Sequence, residues 1–171
     1  MLPLARPLGD RNRTFAVLAV IGMAASILGA LAFQHIGGYI PCALCYMQRT
    51  PYYTGLPVML AGLVLQARGV NPIAVRGLYA IGAVLMLYGM ALAIYHSGVE
   101  WHFWAGPADC TSSGSAPDVA ATDLLATIDK VKPPMCDEAA LRILGLSMAG
   151  WNAIASAVWT WLAAKAAFAR G

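Results

Sequence analysis

Four long apolar segments, separated by more polar ones, dominate the pattern of this 171-residue chain. They cover roughly residues 14–33, 46–66, 72–95 and 143–164. Each is about 20 residues long or longer, enough for an α-helix to cross the roughly 30 Å hydrocarbon core of a bilayer. The pattern predicts an all-α fold: an integral membrane four-helix bundle that forms a single domain over residues 1–171.

The segments between these spans differ in length. Residues 34–45 form a short loop, whereas residues 96–142 form one long extramembrane loop. Apolar residues recur at helical spacing in the second half of the long loop, and they are Ala121, Leu124, Leu125 and Ile128. This spacing predicts a short amphipathic helix on the bilayer surface, with a helix packed within the loop as the alternative.

The first span also has the basic start of a secretory signal. Its apolar run is longer than the 7–15 residues typical of a signal sequence, and three more spans follow it. We therefore interpret it as a membrane helix.

The composition supports a membrane protein and argues against nucleic-acid binding. Hydrophobic residues make up 60% of the chain and charged residues 11%, whereas soluble domains carry about 25% charged residues. The net charge is only +3, and the basic residues form no stripe of the kind that nucleic-acid-binding proteins present. Membrane lipid is therefore the expected surrounding, and no nucleic-acid partner is expected.

Basic residues are distributed unevenly between the two sides of the predicted bundle. With the N-terminus in the cytoplasm, seven of the eleven Lys and Arg residues lie on the cytoplasmic side, and seven of the eight acidic residues lie on the other side. The positive-inside rule then predicts cytoplasmic N- and C-termini. All four cysteines lie outside the cytoplasm, in the compartment where disulfides persist.

A Cys-x-x-Cys pair, Cys42 and Cys45, lies at the start of the second span. Cys42, Cys45 and Arg49 have a spacing that puts them on one helix face. The positive end of the helix and the guanidinium both favour a thiolate. A thiolate at Cys45 beside Arg49 suits an electron acceptor that becomes anionic on reduction. The alternatives are a structural disulfide or half of a zinc site for the pair, and an ordinary interfacial arginine for Arg49.

The other two cysteines, Cys110 and Cys136, lie in the long loop. They can pair with each other, or one of them can reach Cys42, because thiol–disulfide exchange needs only an accessible thiolate and a sulfur in line. An electron relay and a simple loop staple are equally compatible with this spacing. Zinc sites usually use two close cysteine pairs, and these two are 26 positions apart, so we expect no metal site.

Taken together, these features resemble the DsbB family, the bacterial inner-membrane thiol:quinone oxidoreductases that reoxidise a periplasmic dithiol oxidase. The resemblance extends over nearly the whole chain. The segments that carry it are Phe33-Gln34-His35, Pro41-Cys42-Ala43-Leu44-Cys45 with Arg49, Tyr95-His96, Cys110, Cys136 and Leu144-Gly145-Leu146-Ser147-Met148.

The resemblance implies roles for the close pair and its surroundings. Cys42 and Cys45 would form a disulfide that ubiquinone or menaquinone regenerates, with Cys45 facing the quinone ring. Arg49 would stabilise the negative charge of the reduced quinone. Three further residues match the family's quinone pocket and would line it: Gln34, His96 and Met148. Interfacial placement of His96 and simple bundle packing of Met148 are the structural alternatives.

The resemblance also implies roles for the loop cysteines. Cys110 would form the mixed disulfide with a thioredoxin-like, DsbA-like partner, and Cys136 would exchange with Cys42. Two departures from the family pattern affect this expectation. Residues 111–118 match no recognisable family motif, and Gln48 is neutral where an acid often occurs.

The function expected from the resemblance is a multi-pass thiol:quinone oxidoreductase of the bacterial inner membrane. Two electrons would pass from the periplasmic dithiol oxidase through Cys110/Cys136 and Cys42/Cys45 to the quinone. One rival is a quinol-linked or substrate-dedicated disulfide reductase or isomerase, which the direction of electron flow distinguishes. The other is a non-enzymatic membrane scaffold with two structural disulfides, which would resist mild reductants.

Overall fold

The computed structural model describes residues 8–107, 110 and 135–169. Its elements are four long helices and one short hairpin: α1 Asp10–His35, α2 Ala43–Ala67, α3 Pro72–Glu100, β1 Arg142–Ile143, β2 Leu146–Ser147 and α4 Met148–Phe168. The predicted all-α bundle is confirmed. The amphipathic helix predicted around residues 121–128 lies outside the described residues.

Hydrogen bonds at one end of the bundle define the directions of the helices. Asn12, near the start of α1, donates its side-chain amide to the carbonyl of Ala166 near the end of α4, at 2.9 Å. Tyr79, near the start of α3, donates to the side chain of Gln66 near the end of α2, at 2.7 Å. Gln66 in turn donates to the carbonyl of Gly9 at 3.4 Å. Successive helices therefore run in opposite directions.

This antiparallel arrangement gives the bundle two distinct ends. The end that holds the N-termini of α1 and α3 and the C-termini of α2 and α4 lies away from the close cysteine pair, and we call it the opposite end. We call the other the cysteine end. At the cysteine end, the C-termini of α1 and α3 meet the N-termini of α2 and α4. Cys42 and Cys45 lie there, at the start of α2.

The bundle has small residues inside and large aliphatic residues outside. Buried alanines and methionines supply most of the central cluster, and a Cβ atom at Gly62 would come within 2.6 Å of the Tyr79 ring. On the outside, Leu28 and Val84 are 63% and 64% exposed. Small residues allow helices to approach closely, and an apolar exterior suits lipid. The packing is that of a membrane bundle.

Length and apolar composition identify α1 and α3, of 26 and 29 residues, as candidate membrane spans. α2 and α4 contain polar side chains such as Gln48 and Asn152. α3 nevertheless packs against both of them. That all four helices cross the membrane remains a prediction.

Helix boundaries at the cysteine end differ from the predicted spans. α1 ends at His35 and α2 begins at Ala43, so only residues 36–42 connect them. α3 continues to Glu100, beyond the predicted end of the span at residue 95. Its final turn is covered by Trp104, which donates its indole N–H to the carbonyl of Tyr95 at 2.8 Å and stacks on the Tyr95 ring.

The fourth helix begins at Met148 rather than at the predicted residue 143, because a β hairpin precedes it. Leu144 and Gly145 have φ values of +53° and +83°, as both central residues of a two-residue hairpin turn require. Ser147 then caps α4, accepting the backbone N–H of Gly150 at 3.1 Å. The hairpin thereby places Met148 at the cysteine end of the bundle.

Candidate redox site

The close cysteine pair lies at the first turn of α2. Cys42 is the N-cap residue, with an extended backbone, and its Sγ accepts the backbone N–H of Cys45 at 3.3 Å. The two Sγ atoms are 2.8 Å apart, and both cysteines are free. Cys42 is buried, whereas Cys45 is partly exposed. The pair therefore forms a dithiol whose two sulfurs have different surroundings.

In the reduced pair, the hydrogen bonds favour a thiolate on Cys42. The hydrogen bond between the two sulfurs, aided by His96, lowers the pKa of Cys42 to about 4 despite its burial. The same hydrogen bond, together with burial, raises the pKa of Cys45. The sequence-based expectation of a thiolate on Cys45 beside Arg49 stays a prediction, although the hydrogen bonds at the capping position favour the thiolate on Cys42 in this geometry.

His96 connects the pair to a buried polar network. Its Nε2 lies 3.7 Å from Cys42 Sγ, and its Nδ1 lies 2.6 Å from Nε2 of Gln48. The Gln48 carbonyl oxygen accepts from the amide of Asn152 at 2.6 Å, and the Asn152 oxygen accepts from the hydroxyl of Tyr52 at 2.7 Å. Sequence reasoning missed Asn152 and Tyr52, and it noted Gln48 only as a departure from the family pattern.

A buried acid completes the surroundings of His96. Glu100 lies one helical turn after it, with a carboxylate oxygen 3.9 Å from the histidine Nε2. The other carboxylate oxygen accepts the hydroxyl of Ser147, the residue that caps α4. Sequence reasoning missed Glu100, although its spacing from His96 identifies it once α3 is extended by one turn.

A cavity of about 290 Å³ opens beside Cys45. Arg49 lies along it, donating to the side-chain oxygen of Gln34 at 2.5 Å and to the carbonyl of Ala30 at 3.4 Å. Much of the remaining wall is apolar and comes from α1 and α4. The structure brings together five of the predicted site residues along this wall: Gln34, Cys45, Arg49, His96 and Met148.

The loop cysteines form a disulfide, Cys110–Cys136, with Cα atoms 5.5 Å apart. In this structure the two therefore pair with each other, and neither pairs with Cys42. The disulfide belongs to a buried cluster that also contains Cys42 and Val99. A second cavity, of about 430 Å³, lies against the disulfide.

The two cysteine pairs occupy successive positions at this end of the bundle. The loop disulfide packs in the same cluster as Cys42, Cys42 contacts Cys45, and Cys45 lines the first cavity. This order brings both cysteine pairs and the first cavity together at the cysteine end of the bundle.

Comparison with known proteins identifies one family. Residues 12–166 match the model of disulfide bond formation protein DsbB. The chain is 31% identical to disulfide bond formation protein B 2 of Pseudomonas aeruginosa, covering 99% of this chain and 98% of that protein.

Two further relatives extend the comparison. The chain is 32% identical to disulfide bond formation protein B of Alkalilimnicola ehrlichii, a match that covers 65% of this chain and 63% of that protein, less than two thirds of its length. It is 26% identical to an uncharacterised protein of Rickettsia prowazekii, covering 84% of this chain and 80% of that protein. No solved structure matches the chain.

Proposed function

Because the chain belongs to the family of disulfide bond formation protein DsbB, we propose that this membrane oxidoreductase passes two electrons from a periplasmic thioredoxin-like dithiol protein to a membrane quinone. The order of the sulfurs is the observation that carries the proposal. The loop disulfide lies beside the second cavity and in the same buried cluster as Cys42. Cys42 contacts Cys45, and Cys45 lines the first cavity.

The proposed electron route starts at Cys110–Cys136. A thiolate of the partner attacks Cys110, and Cys136 leaves as a thiolate. Cys136 then attacks Cys42 of the oxidised close pair, and Cys45 is released as a thiolate toward the cavity. The second thiolate of the partner breaks the mixed disulfide with Cys110, which leaves the partner oxidised. The freed Cys110 thiolate attacks Cys136 and releases Cys42, so the loop disulfide is restored and the close pair holds the two electrons. The buried cluster shared by Cys42 and the loop disulfide supports this step, because exchange requires the attacking sulfur to approach in line.

The first cavity suits a quinone as the oxidising substrate. Its walls are largely apolar, as a lipid-soluble ring requires, and Arg49 and His96 provide polar groups for the ring oxygens. A bound quinone would accept two electrons from the sulfurs of Cys42 and Cys45 and one proton from the Cys45 thiol, and its second proton would come from solvent. Arg49 would stabilise negative charge on the reduced ring, while the apolar walls exclude water.

The proposed orientation places the cysteine end on the periplasmic side of the bacterial inner membrane and both termini in the cytoplasm. Arg13, Arg68 and Arg76 belong to the opposite end of the bundle, where α1 and α3 begin and α2 ends. This distribution supports a cytoplasmic opposite end by the positive-inside rule.

The proposal is tested with purified protein in detergent or liposomes. We expect a reduced thioredoxin-like protein to drive the reduction of ubiquinone or menaquinone, with one quinol formed for each disulfide made in the donor. The quinone spectrum and donor thiol content give the two quantities independently. Absence of quinol formation with either quinone would contradict the proposal.

The reverse reaction provides the test against a reductase or isomerase. The same protein is mixed with quinol and an oxidised donor, under anaerobic conditions. We expect net flow toward quinol in the first mixture and negligible reduction of the donor in the second. Net reduction of the donor disulfide would instead indicate a quinol-linked reductase.

A further inference from the structure

The geometry points to Gln48 as a positioning residue: we infer that its side-chain amide holds His96 in the tautomer that directs an Nε2–H toward Cys42. This inference deepens the proposed function and rests on it. Gln48 is buried, and its two polar atoms contact different helices. It thus connects α4 to α3 next to the reactive pair.

The direction of the hydrogen bonds carries the argument. Tyr52 donates to Asn152, and Asn152 donates to the oxygen of Gln48. The Gln48 amide nitrogen is then left facing Nδ1 of His96 at 2.6 Å. An amide nitrogen can only donate, so Nδ1 accepts and the ring proton lies on Nε2.

The proton on Nε2 faces Cys42. The sulfur lies 3.7 Å from that nitrogen, within reach of a hydrogen bond to a thiolate. A donor aimed at the charged form of a group favours that form. Gln48 therefore promotes the Cys42 thiolate without touching it, by deciding which ring nitrogen of His96 carries the hydrogen.

Other charged and titratable groups also lie near the His96 ring. From α2 these are Cys42 and Cys45, and from α3 itself Glu100, 3.9 Å from Nε2. The carboxylate of Glu100 is also hydrogen-bonded by the hydroxyl of Ser147. Arg49 lines the cavity that His96 lines. Variants of Gln48 leave all of these groups in the chain.

Two near-isosteric substitutions separate a tautomer role from a packing role. Gln48→Met fills a similar volume but cannot donate to Nδ1, so the Cys42 thiolate loses a fixed donor. Gln48→Glu offers only an acceptor when ionised, so we expect Nδ1 to carry a hydrogen. Because Nε2 keeps its own hydrogen beside the Cys42 thiolate, the ring is then expected to be an imidazolium. An imidazolium beside Cys42 favours the thiolate more strongly than a neutral ring does.

The first readout is the pH titration of the Cys42 thiolate by ultraviolet absorbance. The reduced protein carries Cys110→Ser and Cys136→Ser, so only the close pair contributes. We expect Gln48→Met to raise the titration midpoint by about one pH unit, the lower end of the effect of a hydrogen bond or charge on a nearby group. Gln48→Glu should leave the midpoint unchanged or lower it.

The second readout is the ¹⁵N NMR spectrum of His96 in the reduced protein at neutral pH. We expect a hydrogen on Nε2 and none on Nδ1 in the unsubstituted chain. Both nitrogens should carry hydrogen in Gln48→Glu. This measurement needs no Gln48→Met protein, so the inference can be tested even if that variant does not fold.

Tyr79→Phe is the matched control, because it removes a buried side-chain hydrogen bond of 2.7 Å at the opposite end. It should leave the Cys42 titration unchanged. The inference is overturned if Nδ1 carries the hydrogen in the unsubstituted chain, or if both Gln48 variants shift the midpoint in the same direction. Neither readout uses quinone or partner, so a failure to reduce quinone would count against the proposed function alone.

Discussion

The two ends of the bundle both bury polar side chains, but they use them differently. At the opposite end, Asn12 and Arg76 donate to backbone carbonyls of the last turn of α4. At the cysteine end, His96 and Gln48 interact with other side chains and with the sulfur of Cys42.

The difference separates structural polar groups from chemical ones. The last four carbonyls of a helix have no partner within the helix, so donors there satisfy an ordinary structural requirement. A histidine between a thiolate and an amide satisfies no such requirement. Burial of a polar residue therefore identifies a candidate site only when its partners are themselves reactive.

The largest effect expected from this comparison is at Cys45. Cys45→Ser removes the sulfur that lines the cavity, and quinone reduction should fall by about a thousandfold or more, as for other essential nucleophiles. The change from sulfur to oxygen is nearly isosteric, so the thermal unfolding midpoint should change little. If turnover stayed near that of the unsubstituted protein, the close pair would not take part in quinone reduction.

The next largest effect is expected at Arg49. Its side chain lines the same cavity but takes no part in thiol–disulfide exchange. Arg49→Ala should raise the KM for quinone about ten- to a hundredfold, since hydrogen bonds to charged groups contribute about 1.5–3 kcal/mol. Arg49→Lys keeps the charge and serves as the control. Identical quinone dependence in all three proteins would contradict the proposed role.

At the opposite end, we expect substitutions to lower the stability of the protein rather than its turnover. Asn12→Ala leaves the carbonyls of Ala166 and Ala169 without their side-chain donor. The free energy of unfolding should fall by about 1–3 kcal/mol, the cost of unsatisfied buried polar groups. Denaturant unfolding measures this change, while kcat and KM should stay the same in the folded fraction. A loss of turnover without a loss of stability would contradict a purely structural role for Asn12 at the opposite end.

The smallest effect is expected at Tyr79. Tyr79→Phe removes one hydrogen bond to Gln66 and keeps the ring that packs against Gly62. The free energy of unfolding should fall by about 0.5–1.5 kcal/mol, with quinone reduction unchanged. A larger loss than that of Asn12→Ala would show that the carbonyl contacts of α4 are not the dominant polar interaction at this end.

Much of the fold is predictable because it follows from local patterns. Apolar runs of about 20 residues predict four helices, and alternating helix direction brings the ends of α1 and α3 to the starts of α2 and α4. Gln34, Arg49, His96 and Met148 belong to those termini, so their common cavity follows from the topology. The family resemblance pointed to the same residues.

The remaining parts of the site depend on contacts that local patterns do not encode. Gln48 and Asn152 are hydrogen-bonded across a separation of 104 residues, and nothing in either segment identifies the other. Glu100 begins the aromatic stretch 100–104, which favours an interfacial loop, yet Glu100 lies buried in the final turn of α3. The hydrogen bonds that favour a thiolate on Cys42 also depend on such contacts, because one of them involves His96 on another helix.

The most direct measurement is a single turnover of the close pair with quinone. Protein carrying Cys110→Ser and Cys136→Ser is reduced, freed of reductant and mixed anaerobically with one equivalent of quinone. The proposed electron route predicts one quinol and one Cys42–Cys45 disulfide per protein, with no thiol–disulfide partner required. Persistence of both free thiols beside unreduced quinone would contradict it.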